Sequence, residues 1–123
     1  MNRADFHWVR PTTKSRIAYT MRRNGQRQGA WLDIIAGHGY GQTHTLDQHT
    51  SIIGRADDAD IQVGEYAVSR RHAMILTNGR AHLIRDLGST NGTRVNGLHV
   101  VEKLLRDGDT IEIGGTAFQF RLT

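Results

Sequence analysis

The sequence has no cysteine and a single proline among its 123 residues. Without thiols there is neither a disulfide framework nor a thiolate metal site, and nothing asks for an oxidising compartment. Long hydrophobic runs are missing too: the longest, such as Ile34-Ile35-Ala36 and Ile52-Ile53, are far too short to cross a bilayer. The opening Met1-Asn2-Arg3-Ala4-Asp5 lacks the apolar stretch of a secretory leader. Together these absences predict a cytoplasmic protein with no membrane association. Acids are scarce at one end only. Residues 1–29 hold one acid against seven lysines and arginines, a net of +6, whereas residues 30–123 hold eleven acids against nine, a net of −2. The basicity belongs to the first segment, and diffuse attraction to polyanions is not the main tool of the rest.

The length is enough for one hydrophobic core, not two, so the chain divides into a basic tail over 1–29 and one domain over 30–123, expected to be monomeric. The tail has little periodicity and reads as a mobile, polar lead-in. Phe6, Trp8, Val9, Ile17 and Tyr19 nevertheless give it a reason to dock, as an added strand or a short helix. From Ala30 onward, short apolar or alternating runs separated by turn residues predict an all-β sandwich. The runs are Trp31–Ala36, Thr43–Leu46, Thr50–Arg55, Ile61–Val63, His72–Leu76, Ala81–Asp86, Arg94–Val95, His99–Val101, Thr110–Ile113 and Thr116–Leu122, with Val100–Leu105 ambiguous. Asn78-Gly79 and Gly114-Gly115 are expected as tight hairpin turns.

Three clusters hold nitrogen and oxygen donors in turns, where side chains of a sandwich can converge at one end. They are Gly54-Arg55, Ser69-Arg70-Arg71-His72, and Asp86-Leu87-Gly88-Ser89-Thr90-Asn91-Gly92-Thr93 with Asn96-Gly97 after it. They offer guanidinium groups, hydroxyls and backbone N–H groups with few compensating acids, which suits an anion. Phosphate fits better than carboxylate, because it has three acceptor oxygens and arginine engages two of them as a fork. Asn91 both donates and accepts, which suits the backbone of an extended peptide.

In this order and at these spacings, the Gly-Arg pair, the Ser-x-x-His motif and the Ser-Thr-Asn-Gly-Thr-x-x-Asn-Gly turn resemble the forkhead-associated (FHA) family. The likeness runs from about Trp31 to Leu122 and includes Leu105-x-x-Gly108-Asp109-x-Ile111-x-Ile113-Gly114. It implies an eleven-stranded β-sandwich of two twisted sheets that binds phosphothreonine peptides at one end and has no catalytic activity or cofactor. Its partners would be phosphothreonine proteins in Ser/Thr kinase signalling. Carried over by position, Arg55, Ser69 and Thr90 would contact phosphate, Arg70 would add a further contact, and Asn91 would hold the peptide backbone. Gly54, His72, Gly92 and Asn96 would support the binding loops. Where some family members carry a basic residue that favours an acid after the phosphothreonine, this chain reads Glu65-Tyr66-Ala67-Val68, with Arg94 as the only substitute in view.

Blander readings stand beside these. Taken singly, Arg55 is a surface arginine, Ser69 a turn cap, and Thr90 and Asn91 turn residues. Ser69, His72 and Asp86 evoke a hydrolase triad, but no Gly-x-Ser-x-Gly elbow is present. Seven scattered histidines lack metal-ligand spacing, so no metal site is expected. Gly37-His38-Gly39-Tyr40-Gly41 reads as a flexible hairpin tip rather than a phosphate loop. Thr12 and Thr13 are candidate phospho-acceptors that could fold back onto the site. The alternative function is a phosphorylation-independent or nucleic-acid-associated interaction domain that uses the basic tail.

Overall fold

The computed structural model describes residues 29–123; residues 1–28 of the basic tail, with Thr12 and Thr13, lie outside the described residues. Strand formation follows the period-two alternation of apolar and polar side chains. It is sharpest in β1 (Ala30–Ala36) and β11 (Thr116–Leu122), where Leu32, Ile34, Phe118 and Phe120 are buried and Asp33, Gln119 and Arg121 are partly exposed. Between them run β2 (Thr43–Thr45), β3 (Thr50–Gly54), β4 (Ile61–Gln62), β5 (Ala73–Asn78), β6 (Ala81–Asp86), β7 (Thr93–Val95), β8 (Leu98–Val100), β9 (Glu102–Leu104) and β10 (Thr110–Ile113). The result is the all-β sandwich of eleven strands. No helix among the described residues is long and apolar enough to cross a membrane.

One sheet has six strands in the order β2-β1-β11-β10-β7-β8, and the other has five in the order β4-β3-β5-β6-β9. The pairings are antiparallel except β3 with β4, which is parallel. Their inner faces meet in one core. Leu32, Ile53, Ile75, Ile84, Ile111, Ile113, Phe118 and Phe120 are completely buried there. Each such side chain contributes about 2 kcal/mol by leaving water. His82 also points inward, with its ring 5.2 Å from that of Phe120.

Two local features differ from the sequence reading. The ambiguous Val100–Leu105 stretch contains β9, an edge strand held by charge rather than by alternation: Arg85 pairs with Glu102 at 3.0 Å and Lys103 with Asp109 at 3.1 Å. The β5–β6 turn falls one residue later than Asn78-Gly79, because Asn78 still pairs with Ala81. Its two turn residues are Gly79 and Arg80, and only Gly79 takes a positive φ, 61°. Gly114-Gly115 forms the expected hairpin, with Gly114 also at φ 61°. Both hairpins place glycine at the first central position, where a left-handed backbone is required.

The loop over 37–41 is tied down by its surroundings. The Tyr40 N–H donates to Gly37 O at 3.2 Å, the Gly41 N–H to Ile34 O at 3.0 Å, and the His38 N–H to Thr116 Oγ1 at 3.0 Å. Strand direction brings this loop, the connections following β3, β4 and β6, and the β10–β11 turn to the same end of the sandwich.

Candidate functional site

The site begins with a backbone approach. A Cβ built on Gly54 would stand 2.1 Å from Arg70 O, so only glycine lets the end of β3 lie against the loop before β5. That closeness allows the Arg55 N–H to donate to Ser69 O at 3.0 Å and the Ala56 N–H to donate to Arg70 O at 3.1 Å. The Arg55 side chain is oriented in turn: its Nε donates to Val68 O at 3.0 Å. Its two terminal nitrogens remain to form the fork that a phosphate accepts.

The turn after β6 joins the same assembly. The Thr90 N–H donates to Ser69 Oγ at 3.0 Å, leaving the serine hydroxyl hydrogen to point elsewhere. Asn91 Nδ2 donates to Ala67 O at 2.8 Å, so one amide hydrogen ties two loops together while Oδ1 and the second hydrogen stay available. Behind them sits His72, completely buried. The Ser69 N–H donates to its Nδ1 at 3.1 Å, so the proton lies on Nε2, which donates to Gly92 O at 2.8 Å. Both ring nitrogens are committed, and Ser69 Oγ accepts from Thr90 rather than facing a base. No hydrolase triad is assembled.

Arg55, Ser69, Arg70, Thr90 and Asn91 therefore line one open recess of about 670 Å³, completed by Tyr66, Ala67 and Val68. It presents two guanidinium groups and no carboxylate. Gly54, His72 and Gly92 lie directly behind it. Asn96, expected among the supports of the binding loops, is elsewhere: it turns the β7–β8 hairpin at the far end of β7. There its Nδ2 donates to Asp109 Oδ1 at 3.0 Å and its Oδ1 accepts from the Thr110 N–H at 2.9 Å. A smaller recess of about 310 Å³ shares Ala67 and Asn91 and includes Arg94, His99 and Glu112. Arg94 is already paired with Glu112 at 3.3 Å, so its charge is partly spent.

Three participants were given no part in the site by the sequence reading, although it named them. Asp86 shapes the turn that carries Thr90 and Asn91: its carboxylate accepts from the N–H groups of Gly88 and Ser89, both at 2.9 Å, and from the hydroxyls of Ser89 at 2.6 Å and Thr93 at 2.8 Å. Burial alone would raise the Asp86 carboxyl pKa, but those hydrogen bonds outweigh it and hold the group below its ordinary range. An aspartate heading a Gly-Ser-Thr-Asn turn is a recognisable signal. Glu65 clamps the β10–β11 turn, accepting from the Gly115 N–H at 2.8 Å and from the Thr116 hydroxyl. Its partners lie fifty and fifty-one residues away, beyond any local pattern. Tyr66 stands on the rim of the recess, 99% exposed.

The family model for the FHA domain matches residues 51–114. The chain belongs to the FHA domain family. FHA domains are binding modules, and this one resembles FhaA of Mycobacterium tuberculosis, with 43% identity over 94 residues that make up 76% of the chain. Among solved structures, it superposes at a TM-score of 0.73 and 38% identity on an FHA domain studied for phosphothreonine-dependent interactions, covering 78% of this chain and 98% of that one. It superposes at 0.74 and 34% identity on Mycobacterium tuberculosis EmbR in complex with a low-affinity phosphopeptide, covering 84% of this chain. The chain spans 18% of FhaA and 27% of that EmbR chain, so each likeness covers only part of the longer protein.

Proposed function

We propose that this FHA domain is a phosphothreonine-dependent adaptor that docks partners marked by a Ser/Thr kinase, working in the cytoplasm and catalysing no reaction. One observation carries the reading: Arg55, Ser69, Arg70, Thr90 and Asn91, from three separate connections, share a recess that contains no carboxylate. In this reading Arg55 forks two phosphate oxygens, the hydroxyls of Ser69 and Thr90 donate to the rest, and Arg70 adds long-range attraction. Asn91 pairs with the peptide backbone beside the phosphothreonine through the amide groups that Ala67 does not use. The kinship with an FHA domain studied for phosphothreonine-dependent interactions and with phosphopeptide-bound EmbR supports it.

The test is a titration of the full chain with a phosphothreonine peptide and its unphosphorylated twin, and with duplex DNA across a salt series. Binding of the phosphorylated peptide alone is expected. Binding to DNA alone, with a steep salt slope that disappears on neutralising the tail arginines, would instead favour a nucleic-acid-associated domain, the reading that the net +6 of residues 1–29 motivates. We further propose Thr12 and Thr13 as phospho-acceptors whose phosphorylated form competes for the recess. Replacing both with alanine should then raise partner binding after kinase treatment, and unchanged binding removes that part.

A further inference from the structure

The smaller recess, beside the one that suits phosphate, has a different electrical character. Its floor is laid by strand register: Glu112 of β10 stands opposite Arg94 of β7, and Arg94 stands opposite His99 of β8. Residues that face each other across a ladder point to the same side of the sheet. Their neighbours Val95, Ile111 and Ile113 are buried in the core, so the three polar side chains form a row on the outer face of the six-stranded sheet.

At one end this row meets the binding loops. A Cβ built on Gly92 would stand 2.7 Å from His99 Nδ1, so the bare glycine lets the turn that carries Asn91 rest on the imidazole. Ala67 and Asn91 border both recesses. An extended peptide held at Asn91, with its phosphate in the larger recess, therefore passes directly beside the smaller one.

The charge there is already balanced. The larger recess holds two guanidinium groups and no carboxylate, whereas the smaller holds one of each. A single contact joins them, from Arg94 Nη2 to Glu112 Oε2 at 3.3 Å. That is longer than the about 2.7–2.9 Å of a strong charge-assisted bond, and it leaves donors on the guanidinium and an acceptor oxygen on the carboxylate. An arriving carboxylate gains Arg94 but is repelled by Glu112; an arriving ammonium gains Glu112 but is repelled by Arg94. A primary amide meets both demands, since its oxygen accepts and its nitrogen donates. A hydroxyl does both from one atom only, and an aliphatic chain does neither.

We infer that the smaller recess selects a glutamine or asparagine side chain close in sequence to the partner's phosphothreonine, a step that rests on the phosphopeptide reading of the neighbouring recess. The amide oxygen accepts from Arg94 and the amide nitrogen donates to Glu112. Arg94 and Glu112 are then specificity residues, and the preference for an acid that an unpaired arginine would impose is lost.

Calorimetric titrations of the full chain test this. The peptides carry one phosphothreonine in an alanine-rich background, with glutamine, asparagine, glutamate, lysine or alanine placed in turn at each nearby position on either side. At one position the two amide peptides should bind about tenfold more tightly than the other three, the yield of two neutral hydrogen bonds. Glu112→Gln releases Arg94 and should turn the preference at that position to glutamate. Arg94→Gln releases Glu112 and should turn it to lysine. Each readout is a ratio between peptides on one protein, so a general loss of affinity in a variant cancels. Preference for glutamate or lysine in the parent, no preference at any position, or an amide preference unchanged in both variants overturns the inference. If no phosphorylated peptide binds at all, the phosphopeptide reading fails and the selectivity falls with it; binding without discrimination removes the selectivity alone.

Discussion

At the scale of single residues, Arg55 has two duties that a substitution separates. Arg55→Ala removes the fork to phosphate and the bond to Val68 O; a charge-assisted hydrogen bond is worth roughly 1.5–3 kcal/mol, so phosphopeptide affinity should fall about 10- to 100-fold in calorimetric titration. The fold loses only the one side-chain bond, a cost of about 1 kcal/mol in chemical unfolding. Arg55→Lys keeps the charge but not the planar fork, and most of the affinity loss should persist. Retention of full affinity by Arg55→Ala would remove the phosphate role altogether. His82 makes a second prediction. Burial, foremost, lowers its pKa from 6.5 to about 4; the Arg80 charge adds to the drop and the hydrogen bond with Arg80 O opposes it. The unfolded chain takes up this proton below about pH 6.5, whereas the folded chain resists until about pH 4, so the stability tied to His82 is whole above the first value and drains away between them. The gap amounts to roughly 3 kcal/mol at most. The fall in thermal midpoint from pH 7 to pH 5 should be smaller in His82→Leu than in the parent, and equal falls would refute the assignment.

At the scale of elements, the recess is built from loops whose order is imposed from behind. His72→Ala leaves the Ser69 N–H and Gly92 O without partners inside the protein, at about 1–3 kcal/mol for each unsatisfied group. The expected outcome is lower stability together with weaker phosphopeptide binding. Asp86→Ala should weaken binding more than it lowers the unfolding midpoint, because the four donors it gathers belong to the turn that presents Thr90 and Asn91. An unchanged affinity in that variant would mean the turn organises itself. These elements also mark how far the sequence could be read. Period-two alternation and turn residues exposed the sandwich and all the strands but β9, whose Glu102 and Lys103 are stabilised by ion pairs that no apolar pattern reports. Arg55, Ser69, Arg70, Thr90 and Asn91 were legible because they sit in compact motifs, and the structure gathers them in one recess. Glu65 was not, because its role depends on a turn brought near only by folding. Asn96 was misplaced for a related reason: closeness in sequence to Asn91 suggested closeness in space, but β7 runs between them and carries it to the other end.

At the scale of the whole molecule, charge and apolar surface are distributed unevenly, with the cations of the first 29 residues set against a domain of net −2. Raising the salt concentration should weaken the attraction of phosphopeptides to the recess, whose lining holds two guanidinium groups and no carboxylate. Affinity for a phosphothreonine peptide should also fall below about pH 6, as its phosphate dianion takes up a proton and becomes a monoanion. A pH titration from 8 to 5 checks this, and a flat profile would argue for a carboxylate or neutral ligand.

The lack of any carboxylate around Arg55 and Arg70 has one more outcome. Such a lining cannot neutralise itself, so small inorganic anions dissolved around the protein should be drawn to it. Orthophosphate and sulfate should therefore act as weak competitors, and every partner has to displace them. Apparent affinities measured in phosphate buffer will read lower than those in a buffer of bulky organic ions, and the free phosphate of the surrounding fluid sets the minimum grip that a useful partner must have.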